Sequence, residues 1–317
     1  MLGVVAVLGA VSHGAKLSFS VAGITVQPSE FIKIIFVFFV ASMFYESTEF
    51  IQVVKATVVA ALHVIILVLS RDLGAGLIFF IAYMVMLYVA TRKLYYFAGG
   101  MICGAAASVA AYFLFNHVRV RVVAWQDPLA VFANEGNQVS HSLFAIGTGG
   151  WFGMGLNQGM PYKIPEVKQD FIFSAIAEEL GGIFAICLIL VCVSCFLMFL
   201  NIAMQMKDFF YKLVALGLGT IYGFQIFLSV GGDIKFIPST GVTLPLVSYG
   251  GSSLLSTLII FAVIQGLYLM RERDQGESKG KTGTKNNKTK EKKRLKKKGG
   301  ISSHEETIHG TKIQDFD

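Results

Sequence analysis

A carboxylate placed just ahead of an apolar helix is a candidate proton acceptor, and Asp170 stands there, immediately before FIFSAIAEELGG. Contact with an apolar surface pushes a carboxyl pKa up, which suits a general base. The structural alternative for Asp170 is a helix N-cap, a position that Asp favours. Glu178 and Glu179 follow within the first turns, where the helix dipole favours acids. Nearer the start, QPSEFIK (Gln27–Lys33) sets Glu30 and Lys33 three residues apart, on one helix face, where they can pair. Ionisable groups on membrane helices mark functional positions because their burial is costly. A structural ion pair joining helices fits the same spacing equally well.

Two further segments carry irregular, motif-rich sequence. Gly147, Gly149, Gly150, Gly153, Gly155 and Gly159 would let backbone amides approach a pyrophosphate. The run lacks a GK[ST] ending and is therefore not a nucleotide-binding P-loop; glycines also simply mark turns. PSTGVTLPLVSYGGSS (Pro238–Ser253) mixes prolines, glycines and small hydroxyl residues. Such backbone is tolerated at membrane depth when it is buried in protein or lines a cavity, so a re-entrant cavity wall is expected. SRDLGAG (Ser70–Gly76) reads as an interfacial anchor with a glycine turn.

The elements that position these residues are membrane spans. A spanning helix needs about 20 predominantly apolar residues. The candidates are Phe31–Tyr45, Val53–Leu69, Gly74–Ala90, Tyr95–Phe115, Gly181–Leu200, Phe209–Val230 and Ser253–Met270. Met1–Val11 is too short to span and reads as the second half of a helix, which makes about eight segments in an all-α, polytopic transmembrane bundle. Basic residues near helix ends set orientation. They put the tail, Lys207/Lys212 and Arg92/Lys93 in the cytoplasm, and His13–Ser29, Asn116–Asp170 and Gly231–Ser252 outside. Lys16, Arg71, Arg119, Arg121, Lys163, Lys168 and Lys235 then lie outside against the usual bias, as cations meeting an anionic, lipid-linked substrate would.

Composition agrees with a membrane protein: of 317 residues, 54% are hydrophobic and 15% charged, and the mean hydropathy is +0.64. The net charge of +7 belongs almost wholly to the tail, because 14 of the 27 Lys and Arg lie from Arg271 onward against 8 of the 20 acids. With the basic charge on a low-complexity segment rather than a folded face, no nucleic-acid partner is expected. That tail, residues 272–317, cannot bury enough surface to fold, and its lysines are expected on anionic lipid headgroups. Cys103, Cys187, Cys192 and Cys195 all fall in apolar runs and form neither a zinc pattern nor a disulfide framework.

QPSE at a helix mouth, DFIFSAIAEELGG and TGVTLPLVSYGGSS, in this order and at these intervals, resemble the SEDS family (shape, elongation, division and sporulation; the FtsW/RodA/SpoVE group). The resemblance covers residues 1–271 and leaves only the tail outside. It implies a ten-helix inner-membrane fold, of which the first two helices are expected to be missing here. It implies polymerisation of lipid II, the undecaprenyl-pyrophosphate-linked disaccharide-pentapeptide, beside a class B penicillin-binding protein that cross-links the product. The family's essential aspartate falls on Asp170, and its helix-mouth glutamate and lysine fall on Glu30 and Lys33. The basic residue of its first outer loop falls on Lys16, although the tryptophan usual in that loop is replaced. The LPFVSYGGSS segment falls on Leu244–Ser253, which brings Ser248 and Ser252 into the substrate-binding set; Leu246 stands where phenylalanine is common, and Gln169 where threonine is.

On this resemblance the chain is a processive glycosyltransferase with Asp170 as base. A divalent cation (Mg or Mn) would assist departure of the pyrophosphate, but no metal ligands and no other cofactor are assigned. A lipid II flippase, or a scaffold that positions the penicillin-binding protein, is the alternative; a flippase has no need of a base at Asp170.

Overall fold

The computed structural model describes residues 10–12, 15–21, 24–133 and 136–273. Three short strands come first: β1 (Ala10–Ser12), β2 (Ala15–Val21) and β3 (Ile24–Val26), antiparallel in the order β1-β2-β3. The alternation Leu17, Phe19, Val21 against Lys16, Ser18, Ser20 is the two-residue period of a strand. This corrects the end of the expected half-helix: Ala10 and Val11 pair with Ser18 and Lys16 instead. Its earlier part, residues 1–9, lies outside the described residues, as do the tail from residue 274 and Glu135.

Nine α-helices follow among the described residues: α1 (Pro28–Glu46), α2 (Phe50–Leu69), α3 (Leu73–Thr91), α4 (Leu94–Leu114), α5 (Asn116–Gln126), α6 (Asn137–Gly149), α7 (Ile172–Gln205), α8 (Phe209–Asp233) and α9 (Gly251–Arg273). Seven of them, all but α5 and α6, are long and apolar enough to cross a membrane. The protein is thus a multi-pass helical membrane protein, and each of the seven expected full spans matches one of these helices, Tyr95–Phe115 overrunning α4 by one residue. α8 is the central helix and packs on α1, α3 and α7. Small residues make this possible: a Cβ on Gly217 would press on Val37 and Met86, and one on Gly223 on the Phe196 ring.

Alternation of the seven spans gathers the starts of α1, α3, α7 and α9 at one end of the bundle, with the ends of α2, α4 and α8. Segment 115–171, between α4 and α7, and segment 234–250, between α8 and α9, lie at this end. The long segment contains α5 and α6, two helices that hydropathy does not announce. Their buried positions include Ala124, Ser140, Ser142 and Gly149 rather than a stripe of large apolar residues.

Contacts distinguish two compact units, Met1–Leu267 and Tyr268–Asp317. Within the second, the Tyr268 hydroxyl donates to Glu272 Oε1 over 2.7 Å, and the Arg271 guanidinium lies 4.4 Å from the Tyr268 ring centroid.

Candidate active site

The site is built where the α8–α9 segment folds back over the helix starts. This segment has little regular structure, and its shape comes from bonds to remote parts of the chain. Tyr249 N–H donates to Lys168 O over 2.8 Å, and the Arg121 guanidinium donates to Ser239 O over 2.8 Å. Gln225 donates to Thr243 O over 3.1 Å, and Gln27 N–H donates to Ser252 Oγ over 3.0 Å. Gly74, in the first turn of α3, permits the closest approach, since a Cβ there would collide with Val242.

Asp170 meets this segment at Gly241, whose φ is +71°. A Cβ on Gly241 would lie 3.4 Å from Asp170 Oδ2 and 3.7 Å from Arg121 Nη2. The missing side chain of one glycine therefore faces both the carboxylate and the guanidinium. Arg121 projects from α5, is held among Asp170 and Asp72 by charge, and has its pKa drawn down by burial while it remains a cation. The helix that follows Asp170 is capped by Phe171, without a side-chain bond. Asp170 stands one residue upstream of the N-cap position.

Asp72 does cap a helix, at the start of α3. Its Oδ1 accepts from Ala75 N–H over 3.0 Å, while Oδ2 accepts from Ser29 Oγ (3.1 Å) and Gln27 Nε2 (3.3 Å). Burial pushes the Asp72 carboxyl above its ordinary value, against the pull of those bonds. It is an internal tie between α1 and α3 rather than an interfacial anchor. Asp233, 1% exposed, is a further carboxylate in electrostatic contact with Asp170, and it faces the first turn of α7 at Phe173 and Ser174.

Glu30 and Lys33 form the expected pair, with Nζ 2.6 Å from Glu30 Oε2. Lys33 also donates to Gln225 Oε1 over 2.9 Å, and Ser256 donates to Glu30 Oε2 over 2.8 Å. The pair thereby joins α1, α8 and α9. Ser248 Oγ accepts from Leu244 N–H over 2.8 Å and closes a turn within its own segment. Lys16 lies on β2 opposite Val11. The structure thus brings Asp170 together with Arg121, and Ser252 with Gln27, whereas Glu30 and Lys33 reach the α8–α9 segment through Gln225, which also bonds Thr243.

A groove of about 540 Å³ opens beside Arg121, lined also by Arg71, His117 and the apolar Leu69, Leu114 and Phe115. Burial, then Arg71 and Arg121, lower the His117 pKa. Its Nε2 is buried without a hydrogen-bond partner. His117 carries no motif, and sequence reasoning passes over it; Arg121 stands there only as one cation among seven. Among the described residues no three His, Cys, Asp or Glu side chains converge. A cationic group beside Asp170 is the Arg121 guanidinium.

The fold and this cluster define a polytopic membrane protein with a carboxylate–guanidinium site at one end of its bundle. Residues 1–272 match the FtsW/RodA/SpoVE family, described as cell cycle proteins, and the chain belongs to that family. It is 37% identical over 268 residues to the peptidoglycan glycosyltransferase RodA of Mycobacterium tuberculosis, covering 80% of this chain and 57% of the relative. It is 32% identical over 267 residues to the stage V sporulation protein E of Bacillus subtilis, covering 81% and 71%. The chain thus spans little more than half the length of the mycobacterial relative. A chain of a peptidoglycan synthase complex, solved to describe coordination of polymerization and crosslinking, superposes with a TM-score of 0.72. It shares 25% identity, with 86% of this chain and 78% of that one covered.

Proposed function

We propose that the chain is the membrane body of a peptidoglycan glycosyltransferase that joins lipid II units into glycan strands. The observation that carries this reading is the meeting of Asp170 and Arg121 on Gly241. In the reaction, the C4 hydroxyl oxygen of the acceptor sugar attacks the anomeric carbon of the growing chain. The bond from that carbon to the pyrophosphate oxygen breaks, and the pyrophosphate leaves with the electron pair. Asp170 takes the hydroxyl proton, a contribution of about 10²–10⁴-fold. Arg121, with Arg71 along the groove, offsets the charge on the departing pyrophosphate, His117 offers a hydrogen-bonding imidazole beside them, and Leu69, Leu114 and Phe115 accept the start of its lipid chain.

Glu30 and Lys33 hold α1 against α8 and α9 so that the segment carrying Gly241, Ser248 and Ser252 keeps its place over the groove. Ser252 and Lys16 are substrate-binding candidates on the family resemblance. The site end faces outward from the bacterial cytoplasmic membrane, and the basic tail lies inside on anionic lipids. A class B penicillin-binding protein is the partner that cross-links the product, in elongation, division or sporulation.

The test is to purify the protein with its partner, supply lipid II and resolve the products on a gel. Polymer from the parent and none from Asp170→Asn, with lipid II binding retained by both, supports the assignment. Transbilayer movement of lipid II without polymer would point to a flippase instead.

A further inference from the structure

Helix α7 is broken at Gly181, where φ is 87° and ψ is 169°. Such a break frees backbone groups, and buried ones must find partners. Here they are satisfied by the glycine-rich stretch after α6. Met154 N–H donates to Glu178 O over 2.9 Å, and Gly155 N–H donates to Glu179 O over 3.0 Å. In return, Gly182 N–H donates to Gly150 O over 2.8 Å and Ile183 N–H donates to Trp151 O over 3.2 Å. Met160 N–H adds a bond to Glu178 Oε1 over 3.0 Å. Side chains are excluded at the crossing: a Cβ on Gly153 would collide with Glu179 O, and one on Gly181 with Trp151 O and Gly153 N. The stretch is a backbone splint on the helix, and its large side chains point away. Trp151 is 66% and Phe152 86% exposed, and Leu156 is exposed too.

Depth along α7 says what covers them. From Gly182 to Gln205 the helix rises about 36 Å, and Lys207 and Asp208 mark its polar far end. The hydrocarbon layer is about 30 Å thick, and headgroups extend the bilayer to about 40–45 Å. Gly182 therefore lies just beyond the hydrocarbon, in the headgroup layer, and the splint lies beside it. Ile183, Phe184, Ile186 and Leu190 on the same helix are exposed as a lipid-facing surface must be. The splint continues that surface, and Gly150–Met160 contains no charged residue.

We propose that Gly150–Met160 is a membrane-interface anchor, with Trp151, Phe152 and Leu156 seated among lipid headgroups and the first acyl carbons. Tryptophan is enriched at that depth. Because the segment leads directly into Lys163–Asp170, the anchor sets the height of Asp170 above the bilayer.

Trp125 and Trp151 are the two tryptophans of the chain, so Trp125→Phe leaves Trp151 as the lone reporter. The variant is reconstituted in phosphatidylcholine vesicles carrying bromine at the 6,7 or the 11,12 acyl positions. Seating at the interface predicts at least about twofold loss of Trp151 emission with the shallow bromines, less with the deep ones, and poor access to aqueous acrylamide. Emission equal in brominated and ordinary lipid, with full acrylamide access, would put the anchor in water and overturn the proposal; stronger quenching by the deep bromines would also overturn it. If Trp125→Phe does not fold, quenching of the unaltered chain minus that of Trp151→Phe isolates the same signal. The readout needs no substrate and no turnover.

Discussion

The Arg121 guanidinium reaches the Ser239 carbonyl over 2.8 Å, joining positions 118 residues apart. This bond fixes the α8–α9 segment against α5 and orients the cation toward Asp170. A single lysine donor cannot hold the carbonyl and face the carboxylate in the same planar fork. Arg121→Met is expected to lower polymer formation at least ~100-fold, and Arg121→Lys to fall between Met and the parent. Equal rates for all three in the gel assay would remove Arg121 from the site.

Asp170→Asn keeps the shape of the side chain but cannot take a proton at neutral pH, so polymer formation should fall at least ~100-fold with binding intact. Asp170→Ala should do the same. Because Phe171 is the N-cap, neither change should cost the ~1 kcal/mol of a lost cap. Thermal unfolding in detergent checks this: a marked drop for Ala but not Asn would restore the capping role.

Glu30 and Lys33 are tied to Ser256 and Gln225 in a buried network. Removing one partner leaves the other charge uncompensated, at a cost of about 3–5 kcal/mol when fully buried. The change of both residues, to Gln and Met, should recover much of that loss. If the double variant regains stability but not polymerisation, the pair also serves the substrate; recovery of both leaves it a structural staple.

Asp72 supplies a pH dependence. Its carboxyl is raised from 3.8 by burial, so the folded state binds the proton more tightly than the unfolded chain. Its contribution to stability is then full below the unfolded pKa and is lost as pH rises through the higher folded value. Asp72→Asn, which stays neutral, should flatten the fall of melting temperature above pH ~4. Parallel curves for variant and parent would show that Asp72 does not titrate differently in the two states.

The seven full spans were legible because length and apolarity suffice for them, and each matches an observed helix, Tyr95–Phe115 overrunning its helix by one residue; the short Met1–Val11 segment was not, since its end is strand. Expected ends differ most on α7, which begins at Ile172 rather than Gly181. Gly-Gly there looks like a helix boundary, and only the Gly150–Gly155 splint shows the helix resuming across it. α5 and α6 are too short to span, and apart from Val139 they bury small residues, so length and apolarity do not announce them. Asp170 stood out through its place before FIFSAIAEELGG, whereas Arg121 and His117 did not, because the groove they line forms only where the 69–71 and 114–121 segments meet. The Glu30–Lys33 spacing announced a pair, but nothing in it could name Gln225 or Ser256.

The α8–α9 segment takes its shape from residues 27, 121, 168 and 225. A chain entering a membrane from its N-terminus presents these anchors one after another, and the segment that needs all of them comes later still. Its mould is therefore complete before the segment arrives, and the site closes as nearly the last event of biogenesis. A partly inserted chain would carry Asp170 yet have no Gly241 beside it, and so could not begin to work before its bundle was whole.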